Sequence, residues 1–557
     1  MWNFRFLLSF FLLFSSFLGV AQRGFYSYIE TSRADTLRGK LRAERTCYDV
    51  GHYNLNIELD IPNKSISGST TMTYSIRKDF QSLQVDLFDN MTLDSVLKDG
   101  VQLAFERIDH AVFIRFPETQ KVMDGIGTIQ MFYHGQPVIA KMPPWDGGFS
   151  WAKDPENNDW VVVSCEGIGA SLWWPNKDHL SDEPDSMDIQ ITVPDTLQAI
   201  ANGVLVKQLA LPQDRMKFHW KVSYPINNYN VTLNVGVYAH YQEHYVAMDG
   251  DSLDLDYYVL PKNLAKAKKH FKQVPGMLRI YEEILGKYPF WKDGYALVET
   301  PTLGMEHQGA ISYGNKYKQG YLGLRILKGM DWDYIVIHES GHEYWGNSVS
   351  CNDLAEMWLH ESFTTYMEAL YVEKRYDYDQ AIDYLLMQKK FILNSRPIHG
   401  RLDMNFADMN TTDQYYKGSW MLHTLRNAIG NDSVWFGLLK GFYNKNALSN
   451  TTTEEFVAFV NAYTNHDYTP FFEQYLFYGA LPILEYKLTQ KRRNLKVEYR
   501  WLTDVKGFDM PIIFGSTRTS VRVNPTNEWQ TLIFKKMKKK QFEVATSLFL
   551  VGTKQID

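Results

Sequence analysis

The sequence predicts a multidomain α+β protein with β domains at both ends and a mainly helical domain between them. The chain has 557 residues, which is too long for one ordinary hydrophobic core. Apolar and polar residues alternate within 46–246 and again after residue 479, whereas apolar residues recur at helical spacing between these regions. We therefore expect an N-terminal antiparallel β domain at 46–246, a mainly helical domain at 247–478 and a small β domain at 479–557.

The first 21 residues have the pattern of a signal peptide. A single charge at Arg5 precedes an apolar run from Phe6 to Leu18, and Gly19-Val-Ala21 follows. An uncleaved anchor is the alternative, but the run is shorter than the roughly 20 residues of a spanning helix. We expect an exported protein, periplasmic or secreted, with an N-terminal segment at 22–45 and no membrane span after cleavage.

The alternating pattern that predicts the β domain is clearest at the start of that domain. Every second residue from Tyr53 to Ile61 is apolar, with polar residues between, which indicates a half-buried strand. The turn signal Pro62-Asn-Lys64 and a second alternation through Met72, Tyr74 and Ile76 predict its hairpin partner.

From Pro261 the periodicity becomes helical. Helices are predicted at 332–347, 356–376, 378–394, 416–429, 433–446 and 453–478. The segment Gly479-Ala-Leu-Pro482 ends this region, and alternation returns from Leu484.

Charge and cysteine content narrow the function classes. The chain has 58 basic and 64 acidic residues, a net charge of -6, so nucleic acid is not an expected partner. Cys47, Cys165 and Cys351 are too widely spaced for a zinc knuckle, and free buried thiols are favoured over a disulfide. The sequence does not predict the oligomeric state.

A His-Glu-x-x-His pattern lies on a predicted helix of the middle region. In Asp333-Tyr-Ile-Val-Ile-His-Glu-Ser-Gly-His342, the two histidines are four residues apart, so both imidazoles can reach one ion from one helix. Glu339 follows His338 directly and is placed beside the ion, where it can act as a general base.

A catalytic zinc site also needs a third protein ligand and one open position. Glu361 lies 19 positions after His342, which leaves room for a turn and an antiparallel return helix. Glu368 lies two turns further along the same face, where its carboxylate could accept the distal N–H of a ligating histidine. We predict one Zn²⁺ per chain, held by His338, His342 and Glu361, with Glu368 supporting a ligand.

This constellation resembles the gluzincin zinc aminopeptidases, the family of membrane alanyl aminopeptidase and the leukotriene hydrolase. The second histidine is followed by Glu-Tyr-Trp-Gly346-Asn347, and Trp358-Leu-His-Glu361 stands at the family's spacing. The resemblance extends over nearly the whole mature chain. It implies a saddle-like N-terminal β domain, a thermolysin-like catalytic domain and a small C-terminal β domain, without the large helical domain that many members carry afterwards.

The resemblance also implies residues that bind the free amine of a peptide. Pro301-Thr-Leu-Gly-Met-Glu306 resembles the family's Gly-x-Met-Glu-Asn segment, so Gly304, Met305 and Glu306 are expected to contact substrate. Glu166 matches a second amine-binding position of the family. In this chain His307 stands where the family usually has asparagine.

The segment Gln414-Tyr-Tyr-Lys-Gly418 resembles the family's Tyr-x-Lys-Gly motif. Its first tyrosine donates a hydrogen bond to the developing oxyanion in the family, which assigns that role to Tyr415.

Together these residues predict an aminopeptidase that acts on peptides with a free N-terminus. Zinc-activated water attacks the first peptide bond with Glu339 as the general base, while Glu306 and Glu166 position the amine. Three alternatives stay open: an epoxide hydrolase, an endopeptidase with an open cleft, and a peptide-binding or scaffold protein that has kept the fold without activity.

Overall fold

The computed structural model describes residues 32–405, 412–516 and 519–557. The predicted signal peptide at 1–21 and the start of the segment at 22–45 lie outside these residues. Two short helices precede the first sheet, Arg33–Gly39 and Ala43–Thr46.

The N-terminal region is built from three sheets. In spatial order, the largest sheet contains Val204–Leu211, Arg215–Val222, Ser186–Pro194, Tyr48–Asp60, Ser65–Ile76, Ile126–Gly135, Met91–Lys98 and Val101–Gln102. A second sheet contains Gln198–Ala201, Leu233–Gly236, Asp159–Ser164 and Gly148–Lys153. A third contains Phe80–Asp86, Ala111–Gln120 and Ala104–Ile108.

The large sheet has the hairpin that the alternation predicts. Tyr48–Asp60 pairs antiparallel with Ser65–Ile76 on one side and parallel with Ser186–Pro194 on the other. The apolar residues of the first strand, from Tyr53 to Leu59, are buried, whereas the polar residues between them are partly or fully accessible.

The middle region combines helices with a mixed sheet. Its helices are Leu264–His270, Val274–Ile284, Tyr334–His342, Trp358–Arg375, Tyr378–Gln388, Asp413–Ile429, Asp432–Asn446, Thr453–Thr464 and Thr469–Leu476. Its sheet contains, in spatial order, Ala239–Val246, Ser252–Val259, Tyr295–Glu299, Ile311–Tyr313 and Gly304–Met305. A short parallel pair joins Val349–Cys351 to Ser449–Thr451.

Three of the predicted helices are shorter than their periodicity indicates, and the one predicted at 378–394 ends at Gln388. The helix predicted at 332–347 ends at His342, and Gly346 follows with φ +123°. The helix predicted at 453–478 is two helices, because Asn465 adopts a left-handed conformation and Pro470 begins a new first turn.

The mixed sheet was not anticipated within the mainly helical region. Tyr295–Glu299 is buried along its whole length, so it has no alternating pattern to reveal it. The strand Ala239–Val246 lies before the predicted domain boundary at residue 246. It nevertheless pairs in this sheet with Ser252–Val259, which lies after that boundary. The predicted domain limits therefore stay predictions.

The C-terminal region contains two small sheets. One contains Gln530–Phe534, Asn494–Leu502, Ile483–Lys491 and Gly552–Ile556, in spatial order. The other contains Thr519–Val523, Ile512–Ser516 and Glu543–Val544. The predicted fold class, a β domain followed by a mainly helical domain and a small β domain, is confirmed.

The middle and C-terminal regions share one hydrophobic core, while the N-terminal sheets enclose another. Tyr475 donates a hydrogen bond to the Leu550 carbonyl at 2.6 Å, and the Leu550 amide donates to Thr424 at 2.9 Å. The three cysteines are buried and unpaired. Within the described part of the chain, no helix combines the length and apolar character needed to cross a membrane.

Candidate metal centre and active site

The first ligand helix, Tyr334–His342, is anchored at its N-terminus by Asp333. The Asp333 carboxylate accepts the backbone N–H of Ile335 at 2.9 Å and so caps the helix. Tyr313 and His270 hold the same carboxylate, each at 2.7 Å. The helix is therefore fixed to the mixed sheet, with both predicted ligand histidines buried.

The second ligand helix, Trp358–Arg375, carries Glu361 and packs closely on the helix Asp413–Ile429. A Cβ on Gly418 would lie 1.7 Å from the Ser362 hydroxyl, so a glycine is needed for this close approach. The contact places Tyr415, in the first turn of the third helix, against the ligands. The Tyr415 and His338 rings are 6.2 Å apart.

The three predicted ligand atoms form a triangle. His338 Nε2 lies 3.2 Å from His342 Nε2, and Glu361 Oε2 lies 3.6 Å and 3.5 Å from these two nitrogens. Zinc bound tetrahedrally at roughly 2.0–2.2 Å separates its ligand atoms by about 3.3–3.6 Å. The buried Glu361 Oε2 has no hydrogen-bond partner among the described residues. The triangle therefore fits a zinc ion.

Each ligand histidine is oriented by an acceptor behind it. His338 Nδ1 lies 2.7 Å from Glu368 Oε1, as predicted for that acid. His342 Nδ1 lies 3.0 Å from the Trp345 carbonyl oxygen, with the Thr364 hydroxyl at 3.2 Å. Both contacts leave Nε2 of the two rings to face the ion.

Glu368 is itself fixed by two donors from the helix Tyr378–Gln388. Tyr384 Oη lies 2.5 Å and Gln388 Nε2 lies 2.9 Å from Glu368 Oε2. Glu368 is fully buried, so these donors replace the water that would otherwise solvate its carboxylate.

Glu339 lies between the ligand triangle and the edge strand Gly304–Met305. A Cβ on Gly304 would come within 2.5 Å of Glu339 Oε1, so the carboxylate packs closely against this strand and a larger residue would require it to shift. Burial raises the pKa of Glu339 to about 7, against the lowering effect of His338 and His342.

Glu306 and Glu166 lie beside the same triangle. Tyr229 of the N-terminal region donates a hydrogen bond to Glu306 Oε1 at 3.1 Å. Glu166 Oε1 is buried and has no partner among the described residues. Burial, reinforced for Glu166 by the charge of Glu306, raises the pKa of both carboxyls. A bound cation would relieve this cost.

One cavity of about 280 Å³ brings the predicted site together. Its walls include every predicted site residue except Glu368, which lies behind His338: Glu166, Gly304, Met305, Glu306, His338, Glu339, His342, Glu361 and Tyr415. Burial, followed by the charge of Glu361, raises the pKa of Tyr415, so its hydroxyl keeps its proton and can donate a hydrogen bond.

Sequence reasoning missed several supporting groups. The i, i+4 spacing of Tyr384 and Gln388 puts them on one helix face, but nothing in the sequence links that face to Glu368. Tyr229 lies 77 residues before Glu306 in another region, and its role as a donor emerges only from the packing of the two regions.

Comparisons with known proteins show which proteins the chain is similar to. The family model described as "Peptidase family M1 domain" matches residues 271–475 of this chain. Leukotriene A-4 hydrolase of Xenopus laevis is 21% identical over 467 residues, covering 75% of this chain and 68% of the relative. Aminopeptidase N of Lactobacillus helveticus is 23% identical over 475 residues, covering 79% of this chain and 53% of the relative.

Solved structures show the same fold. A mutant M1 zinc metallopeptidase of Deinococcus radiodurans, bound to a Tyr-Ser-Ala substrate, superposes with a TM-score of 0.64 at 19% identity. The match covers 78% of this chain and 95% of that one.

Proposed function

We propose that the chain is a zinc metallopeptidase that removes single residues from the free N-terminus of peptides, since residues 271–475 match the Peptidase family M1 domain and relatives of the chain include an aminopeptidase. One observation carries the proposal. Glu166 and Glu306 are two carboxylates that border the metal cavity without a lysine or arginine partner within 4.0 Å among the described residues. They offer a binding site for an ammonium group directly beside the metal.

The two carboxylates explain exopeptidase character. A peptide whose ammonium lies between Glu166 and Glu306 presents only its first peptide bond to the ligand triangle. An internal segment of a longer chain brings an uncharged amide to these acids and leaves them unpaired in a buried site.

The chain's own residues then supply the proton transfers. When bound, zinc polarises the scissile carbonyl and acidifies the attacking water. Glu339 takes the proton of that water and delivers it to the leaving amine. Tyr415 donates a hydrogen bond to the carbonyl oxygen as negative charge develops on it.

A panel of aminoacyl fluorogenic amides, with and without a chelator, tests the proposal. We expect release of the fluorophore from at least one free-amine substrate, loss of this activity with the chelator, and recovery with zinc. N-acetylated versions of the same amides are the matched controls, and they should react far more slowly.

The competing activities have separate readouts. An internally quenched peptide with a blocked N-terminus would report an endopeptidase, and an epoxide substrate would report a hydrolase of that kind. Efficient cleavage of the blocked peptide would replace the aminopeptidase assignment. Stoichiometric zinc with no turnover of any aminoacyl amide would support a binding protein instead.

Export belongs to the same proposal. The charged start and the apolar run of residues 1–21 support a cleaved signal peptide and a periplasmic or secreted enzyme. N-terminal sequencing of the protein from fractionated cells tests this, since a mature chain that begins at Met1 in the cytoplasmic fraction would contradict it.

A further inference from the structure

The active-site cavity has an acidic end and a basic end. Glu306 lies on the side of His342, since its carboxylate groups with His342 and Glu339 within 4.8 Å. Arg325 also borders the cavity, and it is the one lysine or arginine to do so in the described ranges. The catalytic mechanism uses the acidic end and gives no role to Arg325.

A series of aromatic contacts connects Arg325 to the triangle through His338. The His338 ring stacks on Tyr334 at 5.1 Å, and the Tyr334 ring meets Tyr321 at 5.3 Å. The Arg325 guanidinium lies 5.0 Å from the centre of the Tyr321 ring. Arg325 is therefore connected to the triangle through His338, whereas the amine-binding acids lie next to His342.

Arg325 is held in place while most of its donors have no partner in the described part of the chain. Its guanidinium lies over the Phe391 ring at 4.3 Å, and Nη1 donates to the Tyr416 hydroxyl at 3.1 Å. Within the described residues no carboxylate comes within 4.0 Å of it, and Nε and Nη2 have no hydrogen-bond partner. Its backbone adopts φ +52°, a conformation that residues other than glycine rarely adopt.

We propose that Arg325 binds a carboxylate on the leaving-group side of the scissile bond and so favours substrates that carry one there. This inference rests on the proposed function, since the acidic end must hold the ammonium for the chain to point towards Arg325. A short peptide is a zwitterion, and the two ends of the cavity match its two charges.

The chemistry of the side chain agrees with this ligand. An arginine whose face is stacked on aromatic rings presents its edge, where paired N–H groups fit the two oxygens of a carboxylate. Two sources can supply that carboxylate, the C-terminus of a tripeptide or an acidic side chain just after the scissile bond.

Two matched substrate pairs distinguish the sources. The first pair is a tripeptide with a free C-terminus and the same tripeptide as its amide. The second pair is two amidated tripeptides that differ by glutamate or glutamine at the second residue. All four share the first residue that the zinc enzyme accepts best in the aminoacyl amide panel.

We expect the zinc enzyme to favour the carboxylate member of at least one pair by about tenfold in kcat/KM, the lower end for a charge-assisted hydrogen bond at an exposed site. Arg325→Gln should reduce this preference to about one, mainly through KM. Arg325→Lys should keep part of it, because lysine retains the charge but not the paired donors.

Lys318→Gln is the control, because Lys318 lies on the same stretch of chain but borders a different groove. It should keep the preference of the unmodified enzyme. A preference that persists in Arg325→Gln, or that is absent from both pairs in the unmodified enzyme, would overturn the proposal. Turnover of aminoacyl amides, which carry no carboxylate, reports separately on the proposed function.

Discussion

The metal side and the amine side of the cavity differ in how their polar groups are satisfied. Behind the ligands, Glu368 accepts from His338 and from two further side chains, so its carboxylate is fully used by the protein. On the amine side, Glu166 Oε1 has no partner among the described residues, and Glu306 has only Tyr229 on its side chain. The protein completes the metal side itself, and in the proposed function the substrate ammonium completes the amine side.

The largest expected effect tests the metal side. Glu361→Ala removes one of three protein ligands, so the variant should lose zinc on dialysis and, with it, nearly all turnover of aminoacyl amides. Metal analysis before and after dialysis measures the loss. Excess zinc should restore part of the activity, and wild-type zinc retention would refute the ligand assignment.

Glu339→Gln tests the group between the two sides. Glutamine cannot take a proton from water, so turnover should fall by roughly 100- to 10,000-fold. Zinc content should stay unchanged, because Glu339 is not one of the three ligands. A loss of less than tenfold would reject its role as general base.

Glu306→Gln tests the amine side. Loss of a charge-assisted hydrogen bond to the substrate ammonium should lower kcat/KM on free-amine substrates roughly 10- to 150-fold. Zinc content should not change, and discrimination against N-acetylated substrates should shrink. Equal losses on both substrate classes would mean that Glu306 supports the fold or the metal, and the comparison of the two sides would fail.

Glu368→Gln sharpens the comparison with the smallest of these changes. The amide keeps the size of the side chain but weakens the acceptor behind His338, so zinc affinity should fall roughly 10-fold, at the low end for such supporting groups. Competition with a chelator measures the affinity. Turnover at saturating zinc should fall much less than in Glu306→Gln. A larger fall than in Glu306→Gln would contradict the assignment of Glu368 to the metal side.

The sequence predicted the features that depend on local spacing. His338, His342 and Glu368 follow from helical geometry, since i, i+4 and two-turn relations put side chains on shared faces. The structure brings them together with Glu361 as that spacing implies. The fold class followed from the change between alternating and helical patterns.

The remaining features depend on tertiary packing. The Trp345 carbonyl behind His342 is a backbone group, so its residue type carries no signal. The strand Tyr295–Glu299 is buried on both faces and therefore lacks alternation. Tyr229 contacts Glu306 and Arg325 borders the cavity, both from segments whose sequences resemble no site motif, so only the fold brings them near the ligand triangle.

The hydrogen bond from Tyr229 to Glu306 has a consequence for engineering this enzyme. Tyr229 and Glu166 both belong to the N-terminal region, whereas all three metal ligands belong to the helical region. In the proposed function, residues of the N-terminal region therefore help to select the substrate, whereas residues of the helical region cleave the bond. Libraries directed at loop 164–169 and at the neighbourhood of Tyr229 should alter which peptides are accepted while the machinery for hydrolysis stays intact.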